Sequence, residues 1–137
     1  MGVILHKKQY ILIYKTSYLT LLSFLYSLYQ EHYNISIVPG SIFVGAILYW
    51  SKPDYSWRRY LDMAIAKTCI IYQLYMAYYN DYAILYYFIA TIGLSCYPLG
   101  IYYYKKNDYW NSTYSHMAMH IILNIGNIIL YSGKFNY

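Results

Sequence analysis

The segment HMAMHIILNIGNIILY, residues 116–131, is apolar enough for a membrane helix, yet it holds five polar side chains. At about 100° per residue, His116, His120, Asn124, Asn127 and Tyr131 fall within an arc of roughly 80°. Ile, Leu, Met and Gly fill most of the remaining positions. A polar group facing lipid would be costly, so the stripe should face protein or water. The segment therefore predicts a helix in a bundle, with its chemistry on the inner face.

The rest of the chain fits that setting. Of 137 residues, 60% are hydrophobic and 11% are charged, where a soluble domain carries about 25% charged residues. We read residues 1–137 as one integral membrane helical domain. Tyr occurs 24 times. It suits a bilayer interface, where one end of the ring is dry and the other wet. An AT-rich coding sequence would also enrich Ile, Tyr, Asn and Lys, so individual tyrosines carry no assigned chemistry. The net charge is +5, but there is no Lys/Arg-rich run of the kind that grips RNA or DNA, and no nucleic-acid partner is expected. Cys69 and Cys96 both fall in apolar runs and read as buried thiols.

Four more apolar runs precede the last one, at about residues 10–30, 35–50, 61–79 and 83–104. The motif Tyr29-Gln30-Glu31-His32 is not a small-residue cleavage site, so the first run is expected to stay as a span. The second run is short for a crossing of about 20 residues, and Pro39-Gly40 interrupts its start. It reads as a short crossing or as a re-entrant segment. Ser56 is the expected cap of the third helix, and Ser112 or Ser115 that of the last. Pro98 and Gly100 are expected to bend the fourth.

Lys7, Lys8 and Lys15 precede or begin the first run. Lys52, Arg58 and Arg59 lie between the second and third, and Lys105 and Lys106 between the fourth and fifth. The turns after the first and third runs hold no Lys or Arg. This alternation predicts an all-α, multi-pass bundle of five spans with its N-terminus on the cytoplasmic or matrix side.

Polar stripes recur in the other runs. Thr16, Thr20, Ser23, Ser27 and Gln30 share a face of the first. Asp62, Cys69, Gln73 and Asn80 share one in the third. Thr91, Ser95 and Tyr102 align in the fourth. Small hydroxyl residues commonly serve helix packing. Asp62, Gln73, His116, His120 and Asn124 are more expensive in hydrocarbon and need partners. Asp62 and His116 both lie near helix starts on the basic side, so they can meet. His-x-x-x-His puts two imidazoles on one face, a spacing that can grip a metal ion. Asp62 would be a third ligand or would orient an imidazole. An Asp–His hydrogen bond with a His120–Asn124 packing network is the alternative, and Asn124, Asn127 and Gln73 are expected in the polar interior. Trp57-Arg58-Arg59-Tyr60 is the densest basic patch. It reads as an interface anchor, or as a grip on lipid phosphate by Arg58 and Arg59. Lys67 lies off the Asp62 face by about 140° and is expected to snorkel or to pair within the membrane.

Ser27, His32, Asp62, His116 and His120 together resemble the pattern of membrane hydrolases related to alkaline ceramidases and the progestin/adiponectin-type receptors. Those proteins carry a Ser and a His late in one helix, an Asp near the start of the next, and His-x-x-x-His opening the last. The resemblance implies a zinc ion held by His32, His116 and His120. Asp62 and Ser27 would stand beside the activated water, and a lipid amide or ester would be hydrolysed. That family has seven spans, and here Ser27 and His32 are five apart where its pattern has four. With five true spans His32 and His116 lie at opposite faces; only a re-entrant 35–50 segment would unite them.

Three functions fit these residues. One is a metal-dependent hydrolase acting on a lipid-like substrate. The second is a small channel, transporter or ion-conducting component. The third is a structural subunit of a membrane complex. Lipids are the expected surroundings, and a homo-oligomer or larger assembly would supply the interior that so small a bundle lacks. Whether the chain is an enzyme stays open at this stage.

Overall fold

The computed structural model describes residues 5–136, and these are helical almost throughout. The helices are α1 (Lys7–Thr16), α2 (Tyr18–Tyr29), α3 (Tyr33–Trp50), α4 (Trp57–Ala77), α5 (Ala83–Lys105) and α6 (Tyr109–Ser132). The described residues form no sheet, and their one β feature is an isolated antiparallel bridge between Asn80 and Phe135. α1 and α2 make a single rod of 23 residues, broken only at Ser17. The break has a local cause. The Thr16 and Ser17 hydroxyls both donate to Ile13 O, at 3.0 and 2.9 Å, crowding a carbonyl that also accepts the Ser17 amide, and the Thr20 amide then bonds the nearer Ser17 O at 3.0 Å.

The rods alternate in direction. At one end the start of α1, the last turn of α3 and the first half of α6 meet in a cluster of Leu5, Ile13, Ala46, Tyr49 and Trp50. At the other end Ile35, Val38, Ala77, Tyr86, Leu130 and Tyr131 form a second cluster. α6 packs on α5 and on the α1–α2 rod, α2 packs on α3, and α3 packs on α4. α4 and α5 barely touch, so the ring of helices is open on one side.

Small residues allow the close approaches. A Cβ on Gly40 would come within 3.1 Å of the Phe24 ring, and one on Gly93 within 2.7 Å of Leu123 Cδ2. The interior is rich in Ser, Thr, Asn, Gln and small residues, while Leu22, Ile37, Val44, Ile84, Phe88, Ile121 and Ile125 point outward. This inversion suits a lipid surround, where apolar side chains gain nothing from burial against protein. Three helices, Lys7–Tyr29, Tyr33–Trp50 and Ala83–Lys105, are long and apolar enough to cross a membrane.

Several local expectations are corrected. Pro39 does not interrupt α3; it lies inside the helix, buried, and α3 runs the full length of the bundle. Proline gives up its own N–H bond and its ring crowds the carbonyl one turn back, a cost that the packing around buried Pro39 offsets. Ser56 stands at the start of α4 but its side chain makes no cap bond. α6 begins about two turns earlier than the apolar run suggests, because Asp108 accepts a hydrogen bond from the Asn111 amide at 3.3 Å. Ser112 instead donates to Gly100 O at 2.8 Å and ties α6 to α5.

Candidate functional site

The α6 stripe faces inward and meets the stripes of the α1–α2 rod and of α4. His120 Nδ1 lies 2.8 Å from Thr16 Oγ1. The Thr16 proton is directed to Ile13 O, and in that arrangement His120 donates from Nδ1 and leaves Nε2 as an acceptor. One turn on, Asn124 uses its full hydrogen-bonding capacity. Its Oδ1 accepts from Ser23 Oγ at 2.6 Å and from Asn127 Nδ2 at 3.3 Å, and its Nδ2 donates to Thr20 Oγ1 and to His120 O. Gln73 of α4 donates to Asn127 Oδ1 at 2.7 Å and to Tyr86 OH at 2.8 Å, and accepts from Tyr131 OH. The seam thus joins the α1–α2 rod, α4, α5 and α6. Among the described residues every buried side-chain nitrogen and oxygen has a hydrogen-bond partner. A complete network of this kind fixes the relative register of the helices, since any slip would strand polar groups in an apolar interior.

The opening between α4 and α5 leads to a cavity of about 320 Å³. Arg59 and Asp62 of α4, Lys105 of α5 and His116 of α6 line it, and Ile13, Met63 and Ile101 supply apolar wall. The cavity exists because α4 and α5 meet near the other end, where Tyr87 OH donates to Leu74 O at 2.7 Å, and lack comparable contact here. His116 packs edge-on against Trp50, with ring centroids 4.8 Å apart, and against His120 at 4.7 Å. Asp62 sits against Gly45 of α3, where a Cβ would lie 3.4 Å from its Oδ1.

The site residues expected from sequence separate into those the fold unites and those it does not. Asp62 and His116 share the cavity wall, with no hydrogen bond between them, and His120, Asn124, Asn127 and Gln73 continue inward from His116. His32 is at the opposite end. Its Nε2 lies 3.1 Å from Gly133 O and its ring stands edge-on to Phe135, beside a separate cavity of about 160 Å³ that Glu31 also lines. Ser27 is fully buried and donates to Phe24 O at 2.6 Å. The three-histidine zinc set implied by the resemblance therefore does not fit this fold, because α3 places the turn at His32 a full helix length from His116. No group of three or more His, Cys, Asp or Glu suited to a metal ion occurs among the described residues.

The two arginines also part company. Arg58 donates to Leu48 O and Lys52 O, both at 2.8 Å, and pairs with Asp54 at 3.2 Å. It satisfies free carbonyls at the end of α3 and braces the loop. Arg59 instead faces the cavity, its guanidinium over the Tyr55 ring at 5.3 Å. Of the site, the sequence marks Thr16 only as one hydroxyl of a polar face, with no tie to His120, and does not mark Trp50. The alignment of Thr16 with Thr20 and Ser23 was the available signal for the first; nothing in the spacing marked the second. No known family model, curated protein or solved structure matches this chain, so the hydrolase resemblance stands on its own few residues.

Proposed function

We propose that this chain is a five-crossing membrane bundle that binds a lipid-like amphiphile in the cavity between α4 and α5. The observation that carries the reading is the make-up of that cavity. Two cations stand near its end, a carboxylate and an imidazole lie deeper, and apolar wall continues toward the open side of the helix ring. A ligand with an anionic head group would meet Arg59 and Lys105, and its polar linkage would reach Asp62 and His116. Its chain would leave between α4 and α5 into the bilayer. Seven basic residues (Lys7, Lys8, Lys52, Arg58, Arg59, Lys105 and Lys106) gather at the cavity end and only Lys134 at the other. That bias supports a cytoplasmic or matrix-side location for the cavity.

Ion conduction is less well supported. The seam beyond His120 runs through the amides of Asn124, Asn127 and Gln73, which hold hydrogen bonds but do not take up and release protons near neutrality. Hydrolysis of the bound ester or amide is the second reading, favoured by Asp62 and His116 sharing one wall. An imidazole can act as general base when a carboxylate stands near it.

Quenching of tryptophan fluorescence by brominated lipids tests the proposal in reconstituted vesicles, since Trp50 lines the cavity. An anionic brominated lipid should quench more strongly than a zwitterionic one. Arg59→Gln should weaken that preference by about tenfold, as expected for a charge-assisted contact, while Arg58→Gln should leave it intact. Equal quenching by both lipids, or equal loss from both variants, would rule the site out.

A further inference from the structure

We infer that the amphiphile of the α4–α5 cavity carries a hydrogen-bond donor, a hydroxyl or an amide N–H, within a few bonds of its anionic head, and that Asp62 selects for it. This deepens the reading of the cavity as a lipid site and rests on it. The acidic side chains differ in what they bond. Asp54 accepts from the Ser56 amide and pairs with Arg58, Asp81 accepts from Asn136 and the Lys134 amide, and Asp108 accepts from Asn111. Glu31 is exposed at the far end of the bundle. Asp62 is half-buried and lines the cavity, yet it has no hydrogen bond or ion pair with any described residue. His116 is in the same state. It lines the cavity, and its ring packs edge-on to Trp50 and His120 without a hydrogen bond. Every fully buried side-chain nitrogen and oxygen among the described residues has a partner. The unbonded atoms of Asp62 and His116 therefore open onto the cavity that both residues line.

The cations do not cancel this carboxylate. Arg59 and Lys105 line the same cavity, but the one ion pair among the described residues is Arg58–Asp54. The Arg59 guanidinium is held aside by the Tyr55 and Tyr60 rings, 5.3 and 5.8 Å from it. The cavity thus presents positive and negative groups separately, and an anionic head meets only the first. Asp62 follows Arg59 by three residues, about 4.5 Å along the helix. That spacing sets the donor close to the head rather than down the chain.

An ionised carboxylate accepts hydrogen bonds and donates none, while a neutral imidazole offers one N–H and one acceptor nitrogen. A linkage with both a carbonyl and a donor meets the two groups, the carbonyl accepting from His116 and Asp62 accepting from the donor. A plain ester supplies the carbonyl alone. Once it expels water from the cavity, it leaves Asp62 a desolvated carboxylate with no donor, which costs more than an ordinary lost hydrogen bond. A site with such an unspent group discriminates strongly against the analogue that lacks the match.

The test uses phosphatidylcholine vesicles holding the full chain, with Trp57 and Trp110 replaced by Phe so that Trp50 reports alone. The probes are three phosphate monoesters with the same brominated acyl chain. Lysophosphatidic acid has a free hydroxyl, N-acylethanolamine phosphate has an amide N–H, and acylpropanediol phosphate is an ester with neither. The two donor probes should reach half-quenching at about tenfold lower mole fraction than the ester, the size of one hydrogen bond to a charged group. The more effective of the two identifies the hydroxyl or the amide. Asp62→Ala should bring all three to the ester's value. Asp62→Asn, which keeps the shape and one acceptor oxygen without the charge, should fall between. Equal quenching by the three probes, or a donor preference that survives Asp62→Ala, overturns the inference and leaves a head-group site at Arg59 in place. Quenching by all three that is unchanged in Arg59→Gln would remove the lipid site itself, and the inference with it.

Discussion

Asn124 is the residue on which most of the interior polarity converges. It makes four hydrogen bonds, to Ser23, Thr20, Asn127 and the His120 carbonyl. Intramembrane hydrogen bonds average about 0.6 kcal/mol each. Asn124→Leu should therefore destabilise the bundle by about 2 kcal/mol, since it also strands the Ser23 hydroxyl and the Asn127 amide in a dry interior. Ile125→Ala, on the exposed face next to it, should cost less than about 0.5 kcal/mol. Reversible unfolding in mixed detergent compares the two; equal losses would mean that the seam contributes nothing specific. Much of this seam was legible in sequence. Polar side chains at helical spacing in an apolar run have one affordable direction, and Gln73, Asn124 and Asn127 took it. The partner of His120 was not legible, because Thr16 lies 104 positions away. Which of Arg58 and Arg59 faces the cavity was likewise hidden. Adjacent residues on a helix diverge by about 100°, and only the path of the loop after Trp50 decides that Arg58 turns back to Leu48.

The element that depends most on close backbone approach is the α5–α6 hairpin. Gly93 faces Leu123, where a Cβ would meet Cδ2 at 2.7 Å and Cγ at 2.9 Å. Gly93→Ala should destabilise by about 1–3 kcal/mol through overpacking. Leu123→Ala in the same chain should recover part of that loss, and thermal unfolding of the double-mutant cycle would reveal strictly additive effects if the two do not touch. The C-terminal segment after α6 is held by the turn after α4. Asp81 accepts from Asn136 Nδ2 at 2.8 Å and from the Lys134 amide at 3.1 Å. The Asn136 bond first, then the Lys134 amide and the Lys134 charge, hold the Asp81 carboxyl below the usual carboxylate range. A carboxylate whose pKa falls on folding adds stability that is fully present above its unfolded value, about 3.9. That stability is lost as pH falls through the lower, folded value. The Lys134 amide resonance should therefore titrate with a midpoint below about 3.9, and Asp81→Asn should abolish the transition; a midpoint at or above the model-compound value would contradict the clasp. Helix existence was readable from the apolar runs, whereas helix ends were not. The start of α6 is set by the Asp108 cap and by the Ser112 bond to Gly100, and neither belongs to the apolar pattern.

At the scale of the whole molecule, the alternation of basic and neutral turns in the sequence and the alternation of helix direction in the fold have the same cause. Each rod is about as long as a bilayer is thick, so successive turns fall at opposite ends of the bundle, and the turns after α2 and α4 hold no Lys or Arg while those after α3 and α5 do. The status of α3 is the critical case. It has 18 residues, about 27 Å at helical rise, enough to reach from the turn at His32 to Trp50 beside His116. A re-entrant α3 would bring both its ends to one side and would unite His32 with His116, as the hydrolase pattern requires. A five-crossing bundle keeps them apart and leaves Asp62 and His116 at the cavity without His32. Single cysteines in a background lacking Cys69 and Cys96 separate these cases. Tyr33→Cys and Tyr82→Cys, both at exposed positions, should be labelled by an impermeant maleimide only from the side opposite the N-terminus. Asn107→Cys, in the turn between α5 and α6, should be labelled only from the N-terminal side. Labelling of Tyr33→Cys and Tyr82→Cys from different sides would break the alternation at α3 or α4. It would also remove the ground for placing the cavity on the N-terminal side of the membrane.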